Sequence, residues 1–429
     1  MRFPLLFGIA LVAVLPLGCR EKPVATTEAI EFGPDDWPWW RGPNRDGIAD
    51  PKQQPPTSWS ETKNVLWKMP IPGRGHGSAT VVGEHVFLTA AENDRQVQSV
   101  LCFDRATGKE LWRTEVHKGP FETKGNAKAS HASATVACDG KRVFVNFVND
   151  GHVHASALDR KDGAILWQTK VSNFVMHQGY GPSPAIYQGL VIISADHKGG
   201  GKFAGLDRAT GKIVWSIDRP KLPNYASPII LNVDGKDQLI LIGCKLVTSL
   251  DPLTGKKFWE TAGSTEECVT STVTDGKHVF STGGYPDNHV AAIVADGSGK
   301  VAWQNTKRVY VPSLLVYGKH LYGVQDSAVA TATCWDCATG KELWSGRFGN
   351  VAFSSSPVLV GDRIYATNEK GKTFIFKASP EKFELEDENQ LGDEAFSTPT
   401  ICGSRIYIRV AKTGADKKRQ EWLYCLGTK

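Results

Sequence analysis

One nine-residue frame recurs along this chain and narrows what it can fold into: Asp, two residues, Thr-Gly-Lys, two residues, Trp. It runs from Asp104 to Trp112, Asp207 to Trp215, Asp251 to Trp259 and Asp336 to Trp344. A variant from Asp159 to Trp167 carries Asp162-Gly163, and a weaker copy from Ala295 to Trp303 keeps Ser298-Gly299-Lys300. The frame has the chemistry of a β-hairpin. Asp and Thr side chains bond backbone N–H groups within the turn. Gly supplies the positive φ that short hairpin loops need. The Trp then lies on the outgoing strand, where it buries a large ring.

A second signal follows each frame: a Ser that opens a short strand, a turn, and another strand. Starts fall at Ser78, Ser133, Ser183, Ser227, Ser271, Ser313 and Ser356, with Thr398 as the eighth. Their spacings are 55, 50, 44, 44, 42, 43 and 42 residues. Four-stranded propeller blades repeat at about 40–45 residues, so the spacing predicts an all-β, eight-bladed β-propeller of four-stranded antiparallel blades. The last repeat ends at its third strand, Trp422-Leu423-Tyr424-Cys425-Leu426, while Val65-Leu66-Trp67-Lys68 stands unmatched before the first start. That N-terminal strand is expected to complete the eighth blade and close the ring, which removes exposed sheet edges. The seventh repeat, around Phe374-Ile375-Phe376, has neither Thr-Gly-Lys nor Trp, and its outer edge is expected to be irregular.

The segment before the ring reads differently. Met1-Arg2 followed by an apolar stretch from Phe3 to Leu17 has the form of an export leader and is short for a bilayer span, which takes about 20 residues. It ends in Leu17-Gly18-Cys19, which resembles a bacterial lipobox, although Pro16-Leu17 departs from the commonest pattern. The expected organisation is a lipoprotein signal peptide over 1–18, a flexible tether over 19–36, a lead-in packed on the propeller over 37–63, and the propeller over 64–429. Lipidation at Cys19 would make a membrane, through the anchor, one partner. An ordinary secretory leader with an incidental cysteine is the competing reading. Eight further cysteines are scattered with no two adjacent, and spacing cannot pair them. The 50 basic and 45 acidic residues are well mixed. The one basic run, Lys417-Lys418-Arg419, reads as a solvated loop, so no nucleic-acid partner is expected.

The repeat resembles the PQQ-like repeat family over about residues 37–429. That family includes quinoprotein alcohol dehydrogenases and BamB-type propeller lipoproteins. The resemblance implies that each tryptophan docks between adjacent blades, a structural role carried here to Trp67, Trp112, Trp167, Trp215, Trp259, Trp303 and Trp344. It also raises a PQQ-dependent oxidoreductase as an alternative. Dehydrogenases of the family hold PQQ near the axis, usually under a disulfide of adjacent cysteines, beside a Ca²⁺ bound by Glu, Asn and Asp. Neither an adjacent Cys pair nor a matching local motif is present, so no cofactor is expected, with PQQ and calcium as the alternative. Cys334-Trp335-Asp336-Cys337 reads as two unrelated thiols. His152 and His154 share a strand face but lack an evident third metal ligand, and 198–202 lacks the ending of a P-loop.

Propeller ligands sit where inner strands converge. The residues two before each start are His76, His131, Gly181, Tyr225, Val269, Val311, Ser354 and Phe396. With their neighbours they define a candidate ligand-binding rim: Arg74, His76, Lys124, Asn126, His131, His177, Tyr180 and Tyr225. A polar, aromatic half beside an apolar half suits a peptide, a glycan or a small anion. Packing of these side chains at the rim without a ligand is the competing reading. No residue is assigned a catalytic role. The expected function is non-catalytic: a monomeric envelope binding or scaffold protein with a protein partner or small ligand. The alternatives are the quinoprotein and a carbohydrate- or anion-binding protein.

Overall fold

A computed structural model describes residues 29–30, 32–122, 125–327 and 329–428. The described residues form eight four-stranded antiparallel sheets and no helix. Blades one to seven occupy 80–118, 137–173, 185–218, 229–262, 273–305, 315–349 and 358–390, each with its strands in chain order. The eighth takes three strands from 400–426 and its fourth from Val65–Ile71. That strand runs antiparallel to Arg419–Leu426, with Trp67 opposite Cys425 and Lys68 opposite Tyr424. The ring is therefore closed by a strand from near the front of the chain.

The turn chemistry is as the frame requires. In the first copy the Asp104 carboxylate accepts the Thr107 backbone N–H at 2.8 Å and its hydroxyl at 2.6 Å. Gly108 sits at φ +75°, where a side chain is strained, and an added Cβ would lie 2.6 Å from the Trp67 indole. The glycine thus serves two purposes at once: it turns its own hairpin and leaves room for the preceding blade's tryptophan. Six indoles donate to a backbone carbonyl of the next blade. Trp67, Trp112 and Trp167 reach Arg105, Arg160 and Arg208 at 3.1 Å, Trp215 reaches Pro252 at 3.2 Å, and Trp303 and Trp344 reach Cys337 and Ser379 at 2.8 Å. Trp259 instead donates to Gln238 of its own blade, at 2.9 Å.

The apolar core lies mostly between blades, not within them. Phe87, Val100 and Val116 of blade one pack with Cys138, Val143 and Phe147 of blade two, for example. Inner strands are joined by a belt of Ser and Thr hydroxyls. Ser78, Thr135 and Ser183 each donate a backbone N–H to the hydroxyl of the next belt residue, ending on Ser227, and Ser271, Ser313 and Ser356 do the same, ending on Thr398; all six bonds are 2.9 Å. The belt corrects one expectation: blade two begins at Thr135, two residues past Ser133. Thr80 pairs with Phe87 in blade one, and it is Ala137 that pairs with Phe144 in blade two.

Blade seven also differs from expectation. Its outer strand, Leu385–Gln390, pairs along the sheet with one bulge, as the outer strands of blades three, four and five do. Asp387 lies opposite Ile375, the place where other blades have tryptophan. The missing ring comes from the lead-in. Trp59 is buried and stacks on Tyr365, with centroids 6.4 Å apart and planes 8° apart, and Asn389 Oδ1 accepts its backbone N–H at 2.7 Å. An indole from elsewhere in the chain thus fills the space between blades seven and eight.

Candidate ligand-binding cavity on the axis

The lead-in crosses one end of the ring. Trp37 pairs with Val81 of blade one, its N–H 2.7 Å from the Val81 carbonyl, and the Pro38 carbonyl accepts Cys138 N–H of blade two at 2.8 Å. Arg45 donates to Ile186 O of blade three at 2.7 Å while its guanidinium lies 4.3 Å from the centre of the Trp39 ring. Trp40 Nε1 donates to Ser271 Oγ ahead of blade five at 2.8 Å. Arg41 is buried and donates to Leu314 O at 2.5 Å and Pro357 O at 3.1 Å, beside blades six and seven. Burial lowers its pKa to about 10, so it stays charged at neutral pH. Within the segment expected as tether, Ile30 and Phe32 pack against the ring, Phe32 edge-on to Trp39 at 4.8 Å, and Asp36 Oδ1 accepts Gly83 N–H at 2.9 Å.

Above this strap lies a cavity of about 550 Å³ with Trp40 in its lining. The ring positions that line it are His76, Ser133, Gly181, Tyr225, Val269, Val311, Ser354 and Phe396. Ser133 stands where His131 was expected, because the two-residue offset in blade two moves every side chain of that turn. The volume is within the usual range for a small-molecule site.

Two polar clusters mark the wall. Glu267 is buried; its carboxylate accepts the Tyr310 hydroxyl at 3.0 Å and meets His177 Nε2 at 3.2 Å. Burial, and then the Glu267 charge, push the Tyr310 and Tyr225 phenols above their ordinary range. At the mouth Lys128 pairs with Glu369 at 2.7 Å, and Ser354 Oγ donates to the same carboxylate at 2.6 Å. His76 packs on Phe396 with ring centres 4.7 Å apart, and its Nε2 is buried without a hydrogen-bond partner. Burial, then Arg74, Arg409 and Arg419, hold its pKa well below 6.5, so the imidazole is neutral at physiological pH.

The expected rim residues separate into groups. His76, Asn126, His177, Tyr180 and Tyr225 line the cavity. Tyr180 also has a structural role: its hydroxyl takes Asn146 Nδ2 at 2.5 Å and donates to Ser194 O at 2.8 Å. Arg74 stands outside the wall. Its guanidinium lies 5.7 Å from the centre of the Phe396 ring and donates to Ala127 O and Lys128 O, which fixes the loop bearing Asn126. His131 lines a smaller neighbouring cavity and stacks on Phe121 at 4.3 Å. Lys124 and Cys19 lie outside the described residues.

Sequence reasoning missed Glu267, Tyr285, Tyr310, Lys128, Glu369 and Trp40. Glu267 and Tyr310 were within reach, since they lie two residues and one residue before the ring positions Val269 and Val311. Tyr285 and Glu369 come from hairpins between second and third strands, which the frame did not cover. His117 of blade one lies with its ring centre 4.9 Å from that of His154, a neighbour the sequence could not supply. Even so, no three His, Cys, Asp or Glu side chains among the described residues converge to hold a metal ion. Cys334 and Cys337 are buried free thiols.

Fold and cavity together define the class: an eight-bladed propeller of PQQ-type repeats whose axial channel is strapped at one end by the chain's own lead-in. The chain belongs to the family described as outer membrane protein assembly factor BamB, which matches residues 96–346 and 286–379. It is 24% identical over 382 residues to the outer membrane protein assembly factor BamB of Burkholderia pseudomallei, covering 82% of this chain and 88% of that one. It is 26% identical over 255 residues to a polyvinylalcohol dehydrogenase of a Pseudomonas species, covering 54% of this chain but only 37% of the enzyme. Among solved structures, BamB from Moraxella catarrhalis superposes with TM-score 0.57 at 16% identity, covering 83% and 96% of the two chains. The quinohemoprotein alcohol dehydrogenase of Comamonas testosteroni superposes with TM-score 0.67 at 13% identity, covering 92% and 81%. At these identities the structural likenesses speak for the fold alone.

Proposed function

We propose that this chain is a non-catalytic binding propeller of the cell envelope, held at a membrane by a lipid on Cys19 and presenting its open face to an envelope protein. The observation that carries this reading is the near end-to-end match to an assembly factor; the similarity to the dehydrogenase covers little more than a third of that enzyme. The cavity chemistry points the same way. Its ionic groups are taken up in fixed pairs, Glu267 with His177 and Tyr310 and Lys128 with Glu369.

The quinoprotein alternative asks for residues that fit PQQ, an ortho-quinone with three carboxylates, beside a divalent cation. The donor set does not fit. Among the described residues the cavity lining offers one lysine, Lys128, already paired to Glu369, while the buried Glu267 carboxylate would repel another anion placed there. Carboxylates desolvated without cationic partners are strongly disfavoured.

Affinity purification of the tagged full chain from its native envelope tests the proposal. Recovery of β-barrel assembly proteins with it is the expected result, and a chain recovered alone as a monomer contradicts the scaffold reading. Added PQQ and Ca²⁺ should leave both the thermal midpoint and the rate of dye reduction unchanged. A C19S variant should leave the membrane fraction and accumulate as exported soluble protein; retention in the membrane would contradict the anchor.

A further inference from the structure

Two walls of the axial cavity differ in electrical character. On one, Glu267 is a buried carboxylate between two tyrosines and a histidine: Tyr310 donates to it, Tyr225 is close enough for its phenol to feel the charge, and His177 Nε2 lies 3.2 Å away, while Tyr285, whose backbone is bridged to that of Glu267, lines the same cavity. Across the cavity, neutral His76 is backed by Arg74, Arg409 and Arg419. Arg409 and Arg419 are themselves paired to Glu421, whereas among the described residues the Arg74 guanidinium donates to the Ala127 and Lys128 carbonyls and to no carboxylate. The potential therefore falls from the His76 side to the Glu267 side. The low dielectric of a strapped channel strengthens that gradient. Aromatic faces beside a carboxylate suit a cation, and the buried, unpartnered Nε2 of His76 marks a polar contact still open to a ligand.

We infer that the axial cavity binds an organic ammonium ion, with its charged head against Glu267 and the tyrosines and its uncharged body reaching across Val269 and Val311 toward His76 and Phe396. This deepens the binding reading above and rests on it. An anion would face the Glu267 carboxylate, and a neutral body would gain nothing from it. The ammonium arrives either on a free amine or on a lysine side chain of a peptide, and the two sources share this chemistry.

Calorimetry on the purified full chain decides the matter with four probes: phenethylammonium, the uncharged 2-phenylethanol, the anionic 3-phenylpropanoate, and a capped Phe-Lys dipeptide. Both ammonium probes should bind more tightly than the alcohol, and the anion should not bind. The tighter of the two ammonium probes names the source. E267Q keeps the shape and a hydrogen-bond acceptor; it should weaken the ammonium probes about tenfold or more and leave 2-phenylethanol unchanged. Tyr285 is half-exposed at the mouth, so Y285A should fold normally and weaken the ammonium probes several-fold by removing one aromatic face. Equal binding of alcohol and ammonium, anion binding, silence from all four probes, or indifference to both substitutions would overturn the inference. If the chain still recovers its assembly partners in that event, only the ammonium assignment fails. Dye reduction with PQQ would sink the underlying reading itself.

Discussion

Asp387 and Trp59 illustrate how much hangs on single side chains in this ring. Asp387 stands at a position where seven other residues are tryptophan, and Trp59 comes from over 300 residues away in sequence to fill the gap. Trp59→Ala should therefore cost as much as Trp112→Ala, about 3–5 kcal/mol each, read by urea unfolding. A Trp59 variant within about 1 kcal/mol of wild type would show the eighth position to be unfilled. Histidines give a pH signature. Burial depresses His76, His131, His154, His197 and His289, and takes His117 down to about 4. The unfolded chain titrates near 6.5 and so binds more protons below that pH. The stability these groups contribute is complete above about pH 6.5 and is lost as pH falls toward the folded values. The thermal midpoint should drop between pH 7 and 5, and His117→Gln should flatten that drop. A midpoint that is level across this window would contradict the burial. The eight described cysteines are buried free thiols, with Cys138 and Cys402 pushed up to about 12 by desolvation. A thiol reagent should find none of them in the native C19S protein and all eight after denaturation. Rapid native labelling would contradict the packing.

At the scale of hairpins and strands, the sequence was most legible where one local chemistry repeats. Asp, Thr, Gly and Trp at fixed spacing report a turn and the docking of the strand that follows, and both depend on neighbours in sequence. Gly211→Ala tests that unit: it forces a side chain at φ +73° and sets a Cβ 2.6 Å from the Trp167 ring. It should destabilise by about 1–3 kcal/mol, whereas Gly235→Ala, at φ +71° with nothing within 4 Å, should pay only the backbone strain. Equal costs would remove the docking role. Blade two was misread because Ser133-Ala134-Thr135-Val136 copies Ser78-Ala79-Thr80-Val81 letter for letter, while strand pairing, which sets the true register, is a non-local property. That slip of two residues put His131 in the ring in place of Ser133. The Glu267 cluster was hidden for a related reason. His177, Tyr225, Glu267, Tyr285 and Tyr310 come from five separate connections, and only assembly of the ring brings them together.

For the whole molecule, closure and the strap act as one device. The strand at Val65–Ile71 seals the eighth blade, and residues 36–50 tie blades one, two, three, five, six and seven across one end, so the axial channel becomes a cavity with a floor. None of the lead-in's contacts could be read from its sequence, because Trp37, Trp39, Trp40 and Arg41 carry no periodicity and find their partners only in the assembled ring. Terminal segments that are not tied down exchange their amide protons quickly, while ladder strands exchange only through larger openings. Native-state hydrogen exchange resolved by peptide is thus the most direct measurement. Peptides covering 36–50 and 64–71 should be protected as strongly as those covering 419–426. If these two segments exchange within seconds while the blades remain protected, the ring is open and its cavity has no floor.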